Sequence, residues 1–213
     1  MVAGAVPADK MIPKFFRDGN VTFNSRLSLA CLGSMRRSRF MDVAPAHLHL
    51  PLMLALWTGQ RQGDLLQLPW SAYDGQFIRL RQGKGGRPVR IPVGAPLKAM
   101  LDTTRRRSPL VLVNSDGLVW SPGGFRCSWR KACAAAGVDG VTFHDIRGSA
   151  ITRLAEAGCT VPEIAAITGH SLGDVEAILD AHYLGRTTVL AMSGMAKLED
   201  SVKPAVKPSN ASS

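Results

Sequence analysis

Carboxylates are scarce in this sequence, cysteines scarcer, and tyrosines almost missing. Asp and Glu number 16 against 26 Lys and Arg, which leaves a net charge of +10 and predicts a polyanionic partner. Arginine predominates among the basic residues, and its planar fork suits bidentate phosphate contacts better than a lysine does. A basic surface that only keeps the protein soluble is the alternative that charge leaves open. The 4 cysteines, Cys31, Cys127, Cys133 and Cys159, show no short paired spacing, which excludes the usual zinc and redox motifs and predicts reduced thiols. Long apolar runs are absent too. The segment Leu48 to Trp57 falls far short of the ~20 residues that a membrane helix needs. No secretory leader and no internal repeat are evident, so a cytoplasmic protein without membrane contact is expected. Tyrosine occurs only at Tyr73 and Tyr183.

At 213 residues the chain can bury a sizeable core, and one domain with irregular ends is the expectation. Residues 1–44 follow no sustained apolar period, are interrupted by Gly4, Gly19 and Gly33, and carry the basic cluster Met35-Arg36-Arg37-Ser38-Arg39. They read as a basic arm or a short helical remnant. From Ala46 a helix is predicted, with Leu48, Leu52, Leu54, Ala55 and Leu56 on its apolar face; Pro51 either lies in its first turn or kinks it. Thr58-Gly59 breaks the helix, and Arg61 to Leu66 restarts it with Arg61 and Asp64 on one face.

Gln76 to Leu80 and Pro88 to Pro92 are strand-like runs around Gly83-Lys84-Gly85-Gly86-Arg87, which predicts a hairpin with Lys84 at its tip. The glycines match no Walker pattern. Ala95 to Thr104 is predicted helical. The Arg105-Arg106-Arg107 run after it is either a solvated helix end or a phosphate contact. Leu110 to Val113 reads as a short buried strand. Ser121-Pro122 opens a helix through Ala136, on which Arg126, Arg130 and Lys131 form either a DNA-facing or an ordinary solvated side.

The richest stretch is His144 to Tyr183. His144 and Arg147 stand three apart and share a helical face. Thr160-Val161-Pro162-Glu163 has capping-box spacing with proline in the first turn, and Gly169 is placed to end that helix, which leaves His170 in a turn able to project into a cleft. A further helix is predicted from Leu172 to about Leu184. A lone histidine is usually a surface or satisfied core residue, and a lone tyrosine is usually packing. Here, though, they come as an ordered set.

That set, His144-Asp145-Ile146-Arg147, Gly169-His170 and Tyr183, with Thr58-Gly59-Gln60-Arg61 upstream, resembles the catalytic domain of the tyrosine recombinases, the phage-type integrases. The resemblance runs from about Ala46 to Ala196. It implies a mainly α fold with a small antiparallel β-hairpin (α+β), a catalytic domain over residues 45–199 and a disordered tail over 200–213, whose Pro, Ser and Lys content cannot bury enough surface to order alone. Family members carry a DNA-clamping domain ahead of the catalytic one, and the arm at 1–44 leaves no room for it, so impaired activity is expected.

The resemblance also assigns chemistry. A tyrosine oxygen attacks the phosphodiester, and a 3′-phosphotyrosyl link conserves the bond energy without metal, cofactor or ATP. Arg61 and Arg147 would stabilise the charge that develops on the non-bridging oxygens. His144 would receive the Tyr183 proton, His170 would hydrogen-bond a phosphate oxygen, and Lys84 would protonate the departing 5′ oxygen, with Arg87 its near neighbour. In many family members fewer than the 13 positions seen here separate the histidine from the tyrosine. The implied partners are double-stranded DNA, further copies of the chain in a tetramer on that DNA, and accessory DNA-bending proteins. A type IB topoisomerase-like nicking enzyme and a DNA-binding remnant without strand exchange are the competing readings.

Overall fold

The computed structural model describes residues 34–138, 140–183, 192 and 194–199. Its first helix, α1 (Ser34–Val43), falls in the segment read as a basic arm or a short helical remnant. Phe40 anchors it: the ring is buried and lies 4.7 Å from Trp129, with Met41 packed against the same core, while Arg36 and Arg39 stay exposed. Phe40, Met41 and Ala44 are too few to register as a period, yet they are enough to dock a helix. The remainder of the expected arm, Cys31 and the tail 200–213 lie outside the described residues.

A 3-10 turn (Ala46–Leu48) leads into α2 (His49–Thr58), with Pro51 in its first turn, where a missing N–H costs no helical bond. Leu50, Leu52, Leu54, Ala55 and Leu56 are all buried, so α2 is covered on nearly every side and forms the central rod of the core. Gly59 ends it at φ 62°, and α3 (Gln62–Leu66) follows at once. Strands β1 (Phe77–Arg81) and β2 (Pro88–Pro92) pair antiparallel with Ile78 opposite Ile91 and Leu80 opposite Val89. Those residues face inward. Arg79, Arg81 and Arg90 face solvent; Arg79 pairs with Asp74 at 2.6 Å, and the Arg90 guanidinium lies 3.9 Å over the Phe77 ring.

Helix α4 (Ala95–Thr103) is followed by the arginine run, in which Arg106 covers the Trp70 ring at 4.8 Å. Leu110 to Val113 does not form a strand. Leu110 and Val113 make only isolated bridges, to Pro69 and Val119, while Val111 and Leu112 are buried. Apolar burial without an edge to pair against gives an extended core segment instead of a ladder. Helix α5 (Pro122–Ala135) is capped by Ser121, buries Phe125, Trp129 and Cys133, and exposes Arg126, Arg130 and Lys131.

Helices α6 (Asp145–Glu156), α7 (Val161–Thr168) and α8 (Leu172–Tyr183) complete the described fold, and residues 194–199 are helical. The capping box at Thr160 forms in full, with Glu163 reaching back to the Thr160 N–H at 2.6 Å. Ile146 belongs to the main core, whereas Ile151 packs with Ile164, Ala165 and Val175 in a second cluster among α6, α7 and α8. Helix α6 therefore bridges two cores, and Arg147 lies at the seam between them.

Candidate functional site

Arg147 is only 4% exposed, an unusual position for a guanidinium. Its Nη1 donates to the Gly59 carbonyl and to the Thr168 carbonyl at 3.1 Å, while Nη2 is buried with no hydrogen-bond partner among the described residues. Both carbonyls are free to accept because each lies at a helix end that closes in the left-handed conformation: Gly59 is at φ 62° and Gly169 at φ 70°. Burial, and then the nearby charge of Arg61, lowers the Arg147 pKa to about 10. It remains protonated at neutral pH, but at a cost that an anion would offset.

Arg61 occupies the extended N-cap position of α3. Its Nη1 lies 4.0 Å from Asp64 Oδ2, beyond hydrogen-bonding reach, and both atoms are buried and unpartnered. The expected pairing on one face is present, but Asp64 spends its other oxygen elsewhere: Oδ1 accepts from the Gly83 N–H at 2.8 Å. Two guanidinium groups thus stand close enough to depress a pKa, each with a buried nitrogen that nothing among the described residues satisfies. Buried donors of this kind are rare in folded proteins, and a bound anion is one group that would satisfy them.

Lys84 sits exposed at the hairpin tip. Both flanks of that tip are pinned, to Asp64 and to His170. Gly83 is held by Asp64, and Arg87 Nη1 donates to the His170 carbonyl at 2.9 Å, so Arg87 is an anchor and Lys84 is the cation left projecting. Lys84 itself makes no hydrogen bond or ion pair with the described residues.

His170 follows Gly169 in the turn between α7 and α8, as the stop at Gly169 predicted, and it is half-buried there. The Thr168 hydroxyl donates its single hydrogen to the Ile164 carbonyl at 2.8 Å, so the 2.9 Å contact from His170 Nδ1 is an N–H donated to that hydroxyl. In the neutral ring Nε2 therefore carries the lone pair. Burial first, then Arg147 and Arg61, push the His170 pKa down to about 4. The folded protein holds this ring neutral while the unfolded chain takes up a proton near the ordinary value of 6.5, so stability present above 6.5 is lost as the pH falls through about 4. Thermal melts across that interval should show the loss, and His170→Gln should flatten it. An identical slope in the variant would mean that the ring is not what carries it.

His144 is the N-cap residue of α6, exposed, and its charge contributes to depressing the His170 pKa. It thus adjoins the pocket as the N-cap residue of α6, in helical backbone conformation and joined to Arg147 in one turn by the 3.1 Å bond from the Arg147 N–H to its carbonyl. The helix start is fixed by Asp145, whose carboxylate accepts from both the N–H and the hydroxyl of Thr142. Tyr183 is the last residue of α8, eight positions after the fully buried Val175; its side chain, like that of His182, lies outside the described residues. Tyr73 is committed elsewhere, buried, with its hydroxyl donating to Asp102 at 2.8 Å and its pKa raised by that burial first.

Two residues emerge that sequence reasoning passed over. Gln60 and Gln82 are each 2% exposed. Gln82 Nε2 donates to Gln60 Oε1 at 2.7 Å and to the Thr168 carbonyl at 3.0 Å, and Gln60 Nε2 donates to the carbonyls of Thr58, Ile167 and Thr168. The signal for Gln82 was available: it shares strand parity with the inward-facing Ile78 and Leu80, and a polar residue in an inward slot must find partners.

The profile of the Phage integrase family matches residues 35–176. The chain is 33% identical over 140 residues to the shufflon-specific DNA recombinase of Escherichia coli, an alignment covering 63% of this chain and 35% of the relative. The structure of a lambda integrase tetramer bound to a Holliday junction is similar at a TM-score of 0.56 and 25% identity, over 64% of this chain and 44% of that one. XerA recombinase shares the fold at a TM-score of 0.61 and 19% identity, over 79% and 64% of the two chains. The chain spans less than half the length of the curated relatives it matches.

Proposed function

Because the chain belongs to the phage integrase family, we propose that it cleaves and rejoins double-stranded DNA through a 3′-phosphotyrosyl intermediate, as a site-specific recombinase. The observation that carries this reading is the pair of buried guanidinium nitrogens, Arg61 Nη1 and Arg147 Nη2, left unpartnered beside a hairpin that projects Lys84. A phosphodiester anion satisfies both donors and offsets the repulsion between them. As tyrosine oxygen attacks, charge accumulates on the non-bridging oxygens, and the Arg147 guanidinium, already fixed by the Gly59 and Thr168 carbonyls, needs no reorganisation to meet it.

Tyr183 is the nucleophile in this proposal. Its phenol, ordinarily near pKa 10, passes its proton to His144 during attack. Lys84 delivers a proton to the departing 5′ oxygen. His170 can donate from Nε2 only as an imidazolium, and a bound phosphate supports that by opposing the arginine charges that hold its pKa near 4. Substrate binding and His170 protonation are therefore coupled. The assembly proposed is a tetramer on DNA, the state in which lambda integrase is bound to a Holliday junction, and accessory DNA-bending proteins fit the same scheme. The domain proposed for this chemistry extends through residue 199, with the side chains that matter lying between Arg61 and Tyr183.

A pool of duplexes with randomised cores and a nick tests the proposal. Cleavage near the nick releases a short fragment and traps the protein on DNA, so a denaturing gel should show a covalent adduct, and the recovered sequences should share a core. No adduct at any salt concentration would leave a DNA-binding protein without this chemistry. Adducts with no joint molecules between two recovered sites would point to nicking and resealing alone.

A further inference from the structure

We propose that Gln82 is a positioning residue that sets where the Lys84 ammonium stands relative to the arginine pair, and so governs proton delivery to the leaving oxygen. The inference rests on the cleavage reading above. Three donors converge on one acceptor: the Thr168 carbonyl receives Arg147 Nη1 at 3.1 Å, Gln82 Nε2 at 3.0 Å and Gln60 Nε2 at 3.2 Å. Arg147 belongs to α6, Gln60 immediately precedes Arg61, and Gln82 stands two residues before Lys84. A single oxygen at the end of α7 thus ties together the elements carrying both arginines and the lysine.

The join is tight. A Cβ built on Gly169 would come within 2.4 Å of Gln82 Nε2, and one on Gly59 within 2.7 Å of Thr168 Cγ2, so the glycines at both helix ends admit this packing as well as the left-handed turns. Gln82 also closes the hairpin, its N–H donating to the Arg87 carbonyl at 2.9 Å. The amide plane of Gln82 is therefore fixed at every polar atom of its Nε2 group, and the backbone leaving it enters the tip at Gly83. Three of the residues flanking Lys84, namely Gln82, Gly83 and Arg87, are held to the site. Of these Gln82 alone is nine-tenths or more buried, and it reaches the carbonyl that also orients Arg147.

The step it governs is defined. A bond forms between the Tyr183 oxygen and phosphorus, the bond from phosphorus to the 5′ oxygen breaks, and its electron pair leaves on that oxygen. The tyrosine proton passes to His144, and the leaving oxygen takes a proton from Lys84. If sulfur replaces the 5′ bridging oxygen, the pair departs on a thiolate, which is stable without a proton. A defect confined to Lys84 placement should then vanish, whereas a defect in the arginine pocket should persist.

The test uses the full chain and a nicked duplex recovered from the randomised pool, synthesised with oxygen or sulfur at the 5′ bridging position. Gln82→Met keeps the side-chain length and removes the amide. It is expected to form adduct about 100-fold more slowly on the oxygen substrate, the order of loss for an ångström-scale misplacement, and within about threefold of the parent on the sulfur substrate. Arg147→Ala should be slow on both, and Lys84→Met should be rescued by sulfur. Thermal melts accompany each variant, and if Gln82→Met does not melt cooperatively, Gln82→Asn, one methylene short, carries the same comparison. Equal slowing of the Gln82 variant on both substrates overturns the inference, as does a Lys84→Met variant that sulfur does not rescue. No adduct from the parent chain on either substrate overturns the functional reading itself, and this inference with it.

Discussion

Tyr183→Phe is expected to abolish covalent adduct formation while leaving affinity for duplex DNA within about twofold of the parent, because a single phenolic oxygen contributes little to binding that is dominated by phosphate contacts. The variant removes one oxygen from the end of α8, a helix held by Val175 and, packed against the same cluster, Ile178 and Leu179. Tyr73 is a poor substitute, since its hydroxyl is already engaged by Asp102, its ring is buried, and its backbone bridges Ile78 near the end of the hairpin away from the tip. Mixing the variant with nicked duplex and resolving the products on a denaturing gel decides the matter. An adduct band at the parental level would assign the nucleophile to another residue.

Arg147→Ala is expected to slow cleavage by about a hundredfold or more, the loss typical when a donor aimed at developing charge is removed. Its effect on folding should be far smaller. The variant leaves the Gly59 and Thr168 carbonyls short of a donor, at about 1–3 kcal/mol for an acceptor left fully unpaired. It also relieves the burial of a charge whose pKa has been pushed down to about 10, and Thr168 keeps the two glutamine donors. These opposing terms predict a melting temperature within about 5 °C of the parent. Arg61→Ala should lose cleavage to a similar extent with even less change in melting, because among the described residues that side chain makes no hydrogen bond, only a 4.0 Å ion pair with Asp64, and it is 30% exposed. Single-turnover rates beside thermal melts separate the two effects. An Arg147→Ala protein that cleaves at the parental rate but binds more weakly would make the residue a phosphate anchor only.

Much of this site was legible in order along the chain because it is built from local signals. The Thr160 capping box, the Gly169 stop and the Gly59 break each depend on a few adjacent residues whose backbone chemistry is self-contained, and all three stand where the pattern placed them. The hairpin and its lysine tip follow from strand alternation around a glycine cluster. Weak signals leave more open. Residues 34–44 admit an arm or a short helical remnant because only Phe40 and Ala44 bury fully there, and Leu110 to Val113 reads as a strand because burial without a pairing partner leaves the same apolar run.

Residue type and spacing by themselves therefore determined the helices, the hairpin, the family to which the chain belongs and the identities of the candidate side chains, since each rests on interactions within a turn or two. Only the tertiary structure decided what those side chains do to one another. The Thr168 carbonyl is 108 positions from Gln60 and 86 from Gln82, and Gly59 is 88 from Arg147. Whether a guanidinium nitrogen ends up paired or orphaned, and whether a histidine is held neutral, depends on burial and on charges brought together across those separations. Such desolvation and Coulomb terms are properties of the packed volume, and no local stretch of sequence contains them.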